Sequence, residues 1–454
     1  MILALSLAAA PAVARPLAVG TVNDPVRGTY CHYASEADRD ACLNVLGWVE
    51  EAWAVQVDEL GFAAPIPDGA LGGSAGLDVY LSSEGTGGPG GAYVICDGEQ
   101  WAPCVDVTPG DGRNGATAYM VIDPGTDAAV FRQYVHHEFQ HVTQYATDFT
   151  EPSLSTWEGT AMAAERWTDA AAPLDAWPVA DYQAAPWASA VLQDGYFLDD
   201  AYGFANSWYE YGACAWLLWL DAQHGDGTGS VGPALWSALA QEGAENEPDV
   251  LDAWDVVAGG GRSAGAWKGD LPAFEAERMR MGTDAGPEYV AFAGSEAYAW
   301  REGMLDAEDS VSPTMPPFPL GMSLWDMDAH AGATVRLTVA GDDAVEWAIL
   351  AVQGAESALW TGADVASGDA AWTPAEDGGA TIGVLNLGAP SMDADDALET
   401  ASFTLTVTTD TSASAARTPA ACGCNVATMA SRGAGFSLLL PGFLALITGL
   451  RRRA

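Results

Sequence analysis

Residues 131–165, FRQYVHHEFQHVTQYATDFTEPSLSTWEGTAMAAE, constrain the fold more than any other stretch, because one helix there must bury an apolar side while gathering polar groups beside it. Within it His137-Glu138-Phe139-Gln140-His141 has the H-E-x-x-H spacing. Residues four apart on a helix stand one above the other, so His137 and His141 can aim ring nitrogens at one point with Glu138 alongside. Three of the six histidines of the chain, His136, His137 and His141, fall in this run. Upstream, residues 117–122 predict a buried strand, Asp123-Pro124-Gly125 a turn, and Thr126 or Asp127 a helix cap. Phe131, Val135, Phe139, Val142 and Ala146 form one apolar stripe, and Tyr134, His137, His141 and Tyr145 run beside it. The histidines therefore border the core.

Two imidazoles do not complete a catalytic zinc site, which takes three protein ligands and leaves a position for water. Trp157-Glu158-Gly159-Thr160-Ala161 opens an alanine-rich helix that continues to Glu165 and Trp167. Glu158 is the expected third ligand, with Asp148, Glu151 and Glu165 as the other acidic choices. Glu165 lies two turns further along the same face, where its carboxylate can accept the second N–H of a ligating histidine and fix the tautomer.

HEFQH followed by WEGTA and Glu165 resembles the gluzincin clan of zinc metallopeptidases. That resemblance implies Zn2+ held by His137, His141 and Glu158, with Glu138 activating water as general base. The spacing from Glu158 to Glu165 matches the clan's aminopeptidases, but their G-A-M-E-N stretch, which clamps a substrate amine, has no counterpart. An endopeptidase is therefore implied. Tyr209-Glu210-Tyr211-Gly212 adds a likeness to secreted bacterial metalloproteases that carry a later Y-x-Y-G helix, spanning residues 28–285. Tyr211 or Tyr209 is expected to donate a hydrogen bond to the oxyanion of a tetrahedral intermediate, and packing is the alternative role of both. His136 is expected behind the ligands or at the surface, and His224 at a helix end.

A length of 454 residues predicts two domains. Before the motif, Leu43, Leu46, Val49, Trp53, Val57 and Leu60 recur at helical spacing over residues 36–60, with Gly61 as a stop. Residues 77–81 and 92–96 predict short strands, and residues 92–95 are the expected edge strand that pairs with substrate. Residues 168–195 are expected to be loop-rich because of Pro173, Pro178 and Pro186, and residues 209–223 to form one buried helix. From residue 289 the texture changes to alternation, as in Val335/Leu337/Val339 and Phe403/Leu405/Val407. The expected fold is an α+β zincin-like metallopeptidase domain over residues 15–285, followed by an antiparallel β-sandwich over 286–409.

Asp and Glu number 62 against 17 Lys plus Arg, a formal net charge of −45, which repels phosphate and excludes nucleic acid as a partner. Ca2+ is a candidate second ion at Asp342-Asp343 or Asp395-Asp396, where solvated turns are the alternative. The apolar run at residues 2–10 followed by Ala12-Val13-Ala14 predicts a signal peptide, residues 1–14, cut after Ala14. Export implies oxidised cysteines, and the short separations favour Cys31 with Cys42 and Cys96 with Cys104, leaving Cys214 as a buried thiol. Residues 410–432 read as a linker carrying Cys422-Gly423-Cys424, and residues 433–454 as a hydrophobic helix ending in Arg451-Arg452-Arg453. This tail resembles the myxobacterial-type C-terminal sorting signal, which implies a membrane-engaged precursor and a final place at the cell surface, in the outer membrane or outside the cell; a permanent membrane anchor is the plainer alternative. Taken together, the sequence predicts an exported zinc peptidase acting on protein or peptide. Its rival is a non-catalytic surface binding module with a structural zinc.

Overall fold

The computed structural model describes residues 15–410, apart from 85, 87–90, 97–103, 172–175, 205–206, 242–247, 282–299, 369, 395 and 397. The sequence predictions for residues 1–14 and 411–454, and for the boundary at 285, lie outside the described residues. The molecule is mixed α+β with three sheets.

A hairpin of β1 (Gly20–Asp24) and β2 (Thr29–Tyr33) comes first. Sequence reading missed it, because exposed Thr21 and Asn23 give β1 no apolar signature. The helix predicted over residues 36–60 is three geometries in series: a 3₁₀ turn at Glu36–Asp38, α1 at Arg39–Ala52, and a π-helical segment at Trp53–Glu59. It stops at Gly61, whose φ of 94° suits glycine. Three more strands, β3 (Leu77–Leu81), β4 (Ala92–Cys96) and β5 (Ala118–Ile122), complete the first sheet in the order β1-β2-β3-β5-β4. Its inner strands β2, β3 and β5 are parallel; β1 and β4 are antiparallel edges.

Helix α2 (Phe131–Thr147) lies on this sheet beside α1, burying Val135, Phe139 and Val142 against Val79, Leu81, Met120 and Ile122. It begins at Phe131, five residues after Thr126 and four after Asp127, the two predicted caps. Asp127 instead organises the turn ahead of it, its carboxylate accepting from the Ala129 N–H at 2.9 Å and its carbonyl from Phe131 N–H at 3.0 Å. Helix α3 (Leu154–Thr168) is capped by Ser153, whose hydroxyl accepts from the Thr156 N–H.

Among the described residues seven further helices follow: α4 (Ala176–Ala184), α5 (Gly195–Tyr202), α6 (Tyr209–Gly212), α7 (Cys214–His224), α8 (Val231–Leu239), α9 (Val250–Val257) and α10 (Trp267–Arg280). Two of them correct the sequence reading. Pro178 does not prevent α4, because in the first turn a missing N–H costs no helical bond. The predicted helix over residues 209–223 is broken at Ala213, whose N–H bonds the Glu210 carbonyl three residues back, while Gly212 approaches Tyr182 more closely than any Cβ would allow. Trp216, Trp236, Trp254 and Phe274 fill the resulting core.

The last third forms β6 (Met304–Leu305), β7 (Ser310–Val311), β8 (Met322–Ala329), β9 (Thr334–Gly341), β10 (Trp347–Gln353), β11 (Glu356–Thr361), α11 (Ala363–Ser367), β12 (Ala370–Trp372), β13 (Gly378–Asn386) and β14 (Phe403–Asp410). Two sheets result, β11-β10-β13-β8-β6 and β12-β9-β14-β7, antiparallel throughout except that β6 runs parallel to β8. Ile349, Ile382 and Val384 of the first share a core with Leu337, Leu405 and Val407 of the second. On its other face the first sheet contributes Leu324, Leu350 and Leu385 to the helical core. Strand β10 is therefore buried on both faces.

The helical and β parts are also joined by polar contacts. Lys268 of α10 donates to Glu346 and to the carbonyls of Ala389 and Pro390. Asp249 caps α9 through its Oδ1 and accepts the Ala394 N–H on Oδ2 at 3.0 Å. Asp342 and Asp396 each accept a neighbouring backbone N–H, as turn residues do, and Asp395 is outside the described residues. The disulfides are Cys31–Cys42 and Cys96–Cys104, and Cys214 is a buried free thiol. No helix among the described residues is long and apolar enough to cross a membrane.

Arg278 of α10 is 1% exposed, bonded to Glu275 at 3.1 Å, to Gln183 at 3.2 Å and to the Tyr182 carbonyl, with its guanidinium over the Tyr182 ring. Arg278→Ala leaves Glu275 buried and unpaired, and urea unfolding is expected to show a loss of about 3–5 kcal/mol. Asp249 gives a pH test. Burial, with Asp393 beside it, lifts its pKa above the usual carboxylate range to about 6. A carboxyl whose folded pKa is raised favours the protonated fold, so its stabilising contribution is lost as pH rises from about 4 to about 6. Asp249→Asn, which keeps the capping oxygen, is expected to flatten thermal stability over that window relative to wild type.

Candidate metal centre

Helices α2 and α3 place the site, because their packing sets the facing residues of HEFQH and WEGTA against one another. His137 and His141 sit on successive turns of α2, and Glu158 lies in the second turn of α3. All three are buried, at 7%, 9% and 6% exposure. His137 Nε2 stands 3.2 Å from His141 Nε2 and 3.2 Å from Glu158 Oε2, and His141 Nε2 stands 3.3 Å from the same oxygen. These donors form a nearly equilateral triangle.

That triangle is the fit test for zinc. Tetrahedral ligands at roughly 2.0–2.1 Å from a zinc ion stand about 3.3 Å apart. The other ring nitrogens decide which lone pairs face inward. His137 Nδ1 lies 3.0 Å from Glu165 Oε1, and His141 Nδ1 lies 2.7 Å from Gln144 Oε1. Gln144 is itself oriented, since its Nε2 donates to the Trp157 carbonyl at 3.0 Å. With the rings neutral, both Nδ1 atoms carry the proton, and two Nε2 lone pairs and a carboxylate oxygen converge on one point. Three acceptors held this close call for a cation, and this is the one convergent group of three His, Cys, Asp or Glu side chains among the described residues.

The electrostatics agree. Burial alone would raise the Glu158 pKa, but the imidazoles of His141 and His137 hold it well below the usual carboxylate range. Burial opposes charge on His137, yet Glu158 and Glu165 lift its pKa to about 10. The pocket thus favours positive charge at the triangle. Glu138, 4% exposed, leaves its Oε2 without a hydrogen-bond partner, and burial pushes its pKa up to about 7. A carboxylate in that state is a competent proton acceptor.

Tyr211 stacks on His137, with centroids 5.8 Å apart and planes 13° from parallel, and burial beside Glu158 raises the pKa of its hydroxyl. Tyr209 instead points into the core, donating to the Ala188 and Ser189 carbonyls, as the packing alternative anticipated. His136 is fully buried on another side of α2, 3.5 Å from Glu51, so a surface position is corrected. Asp148 and Glu151 spend their carboxylates on backbone and hydroxyl groups, away from the triangle. His224 ends α7 and contacts Asp270. Gln144 went unrecognised in the sequence; the signal was its place one turn after a ligating histidine.

No protein-family model matches the chain, and no curated protein does. Among solved structures it is similar to PliG, a periplasmic inhibitor of g-type lysozyme, from Salmonella Typhimurium, at 9% identity and a TM-score of 0.19, covering 24% of this chain and 100% of that one. A PliG mutant from Escherichia coli gives 9% identity and the same TM-score, covering 25% and 100%. Likeness at this level informs neither fold nor function.

Removing the Gln144 acceptor with Gln144→Leu frees the His141 tautomer. Competition with a chelator of known affinity is expected to show zinc binding weakened by about 10–100-fold. Unchanged affinity would mean that Gln144 does not orient the ring.

Proposed function

We propose that this chain is an exported zinc-dependent peptidase of gluzincin type, its zincin-like part carrying the site and a β-sandwich following it. The single observation that carries the reading is the triangle of His137 Nε2, His141 Nε2 and Glu158 Oε2, with Glu138 beside it. When bound, zinc would lower the pKa of a water toward neutrality and polarise a carbonyl. Glu138 takes the proton of the attacking water, and the same proton passes to the leaving amine as the C–N bond breaks. Glu165 and Gln144 keep both imidazoles in the ligating tautomer. Tyr211, close to Glu158 and His137, supplies a hydroxyl to the developing oxyanion.

The sheet supports a polypeptide substrate. Strand β4 is an edge, antiparallel to β5, and its residues 93–96 are half-buried. Extended peptide backbone can add to such an edge as a further strand. Two disulfides fit an oxidising compartment, and so an exported chain.

Glu138→Gln separates catalysis from metal binding. The variant is expected to keep about one zinc per chain and to lose cleavage of an unfolded protein by roughly 10²-fold or more. Chelation of the wild type is expected to abolish cleavage, and added zinc to restore it. Zinc-loaded wild type that cuts nothing would leave the non-catalytic binding module as the function.

A further inference from the structure

We propose that the cleft between residues 68–74 and the outer face of the first sheet is a guanidinium-binding pocket whose occupant is the side chain of Arg15, the residue that the sequence places first after the export signal. The proposal is independent of the zinc site. The outer face is the one turned away from α1 and α2, where Tyr80, Tyr119 and Val121 cluster. Arg15 reaches into it with three polar partners from different parts of the chain. Its Nη2 meets Asp68 Oδ2 at 2.6 Å, and its Nη1 bonds Asp78 and also donates to the Leu71 carbonyl at 2.9 Å. The guanidinium lies over the Tyr119 ring, 4.8 Å from its centroid.

The walls are built for this group. The Asp78 side chain has no exposed surface and that of Asp68 only 3%. One oxygen of Asp78 is held by Ser74 and by His32 Nε2 at 2.9 Å, and His32 is fixed by Thr21 on Nδ1 and by stacking on Tyr80. The other oxygen faces Arg15. A Cβ at Gly72 would collide with Arg15, Asp78 and Tyr80, and its φ of 75° is also suited to glycine, so this backbone leaves room for the guanidinium. Two buried carboxylates from separate elements, a carbonyl and an aromatic face match a planar, five-donor cation and not a point charge. A cavity of ≈ 520 Å³ opens beside the pocket, lined by Arg15, Tyr30, His32, Ser74 and Tyr80 among others.

Between this anchor and β1 Pro16 is buried, while the next apolar side chains face outward. Leu17 is 86% exposed and Val19 63%. The segment is held beside an edge strand by the Arg15 side chain and by the Val19 N–H, which donates to the Tyr33 carbonyl at 2.9 Å. The ligand class is therefore an arginine-bearing peptide, supplied in cis by the chain itself.

The test uses the full chain beginning at residue 15 and a C-terminally labelled peptide Arg-Pro-Leu-Ala-Val, the sequence of residues 15–19. Arg15→Ala, which opens the pocket, is expected to bind the peptide saturably, and the wild type at least about tenfold more weakly because its own side chain competes. The same peptide with lysine or citrulline in place of arginine is expected to bind the variant about tenfold more weakly, and adding Asp68→Asn to remove binding. Equal binding to wild type and variant, or indifference to citrulline, overturns the proposal. A second measurement needs no variant: arginine amide, but not lysine amide, is expected to accelerate release of Arg15 from the wild type by an aminopeptidase specific for Xaa-Pro N-termini. Identical trimming with both amines also overturns it.

Discussion

The packing of α2 on α3 is the contact from which the rest of the molecule takes its meaning. Each helix alone carries an unremarkable set of polar side chains. Brought together they set two imidazole nitrogens and a carboxylate oxygen within 3.3 Å of one another in a buried place. Such an arrangement is unfavourable without a positive charge at its centre, and the fold accepts it because the same helices are fixed elsewhere by apolar burial. Phe139 and Val142 hold α2 to the sheet, while Met162 and Ala163 hold α3 to the helical core. The site is preorganised by groups that take no part in its chemistry.

Proton placement is the second layer of that preorganisation. Glu165 and Gln144 face the outer nitrogens of the two rings, one with a charge and one without. Glu158 is the common neighbour of both inner nitrogens. Glu138, lacking such partners on its Oε2, is protonated more easily than Glu158, with its pKa raised by burial to about 7. Four acidic or amide side chains on two helices thus take different parts because their surroundings differ.

Much of this was legible in the sequence because it depends on helical periodicity. The spacing of His137, Glu138 and His141, the seven-residue step from Glu158 to Glu165, and the apolar stripe through Phe139 are short-range facts of one or two helices. The strands at Leu77–Leu81 and Ala92–Cys96 were readable for the same reason. What escaped depends on distant partners. The β1–β2 hairpin has no internal apolar pattern, and its place comes from pairing with β3. Strand β10 was legible from Trp347 and Ile349, but its burial on both faces was not, because the second cover comes from the distant helical part. The break at Ala213 follows from the approach of Gly212 to Tyr182, thirty residues away. Gln144 takes its role only once the Trp157 carbonyl fixes its amide.

Lys268 carries the only primary amine among the side chains of the chain, and it is engaged in the joint between α10 and the loops at Glu346 and Ala389. Chemistry directed at lysine, whether a crosslinker, an amine-reactive dye or a lysine-specific protease, therefore has a single internal address. Modification there removes a cation that three oxygens share, so coupling through that side chain would act on the contact between α10 and the β part and not on a bystander.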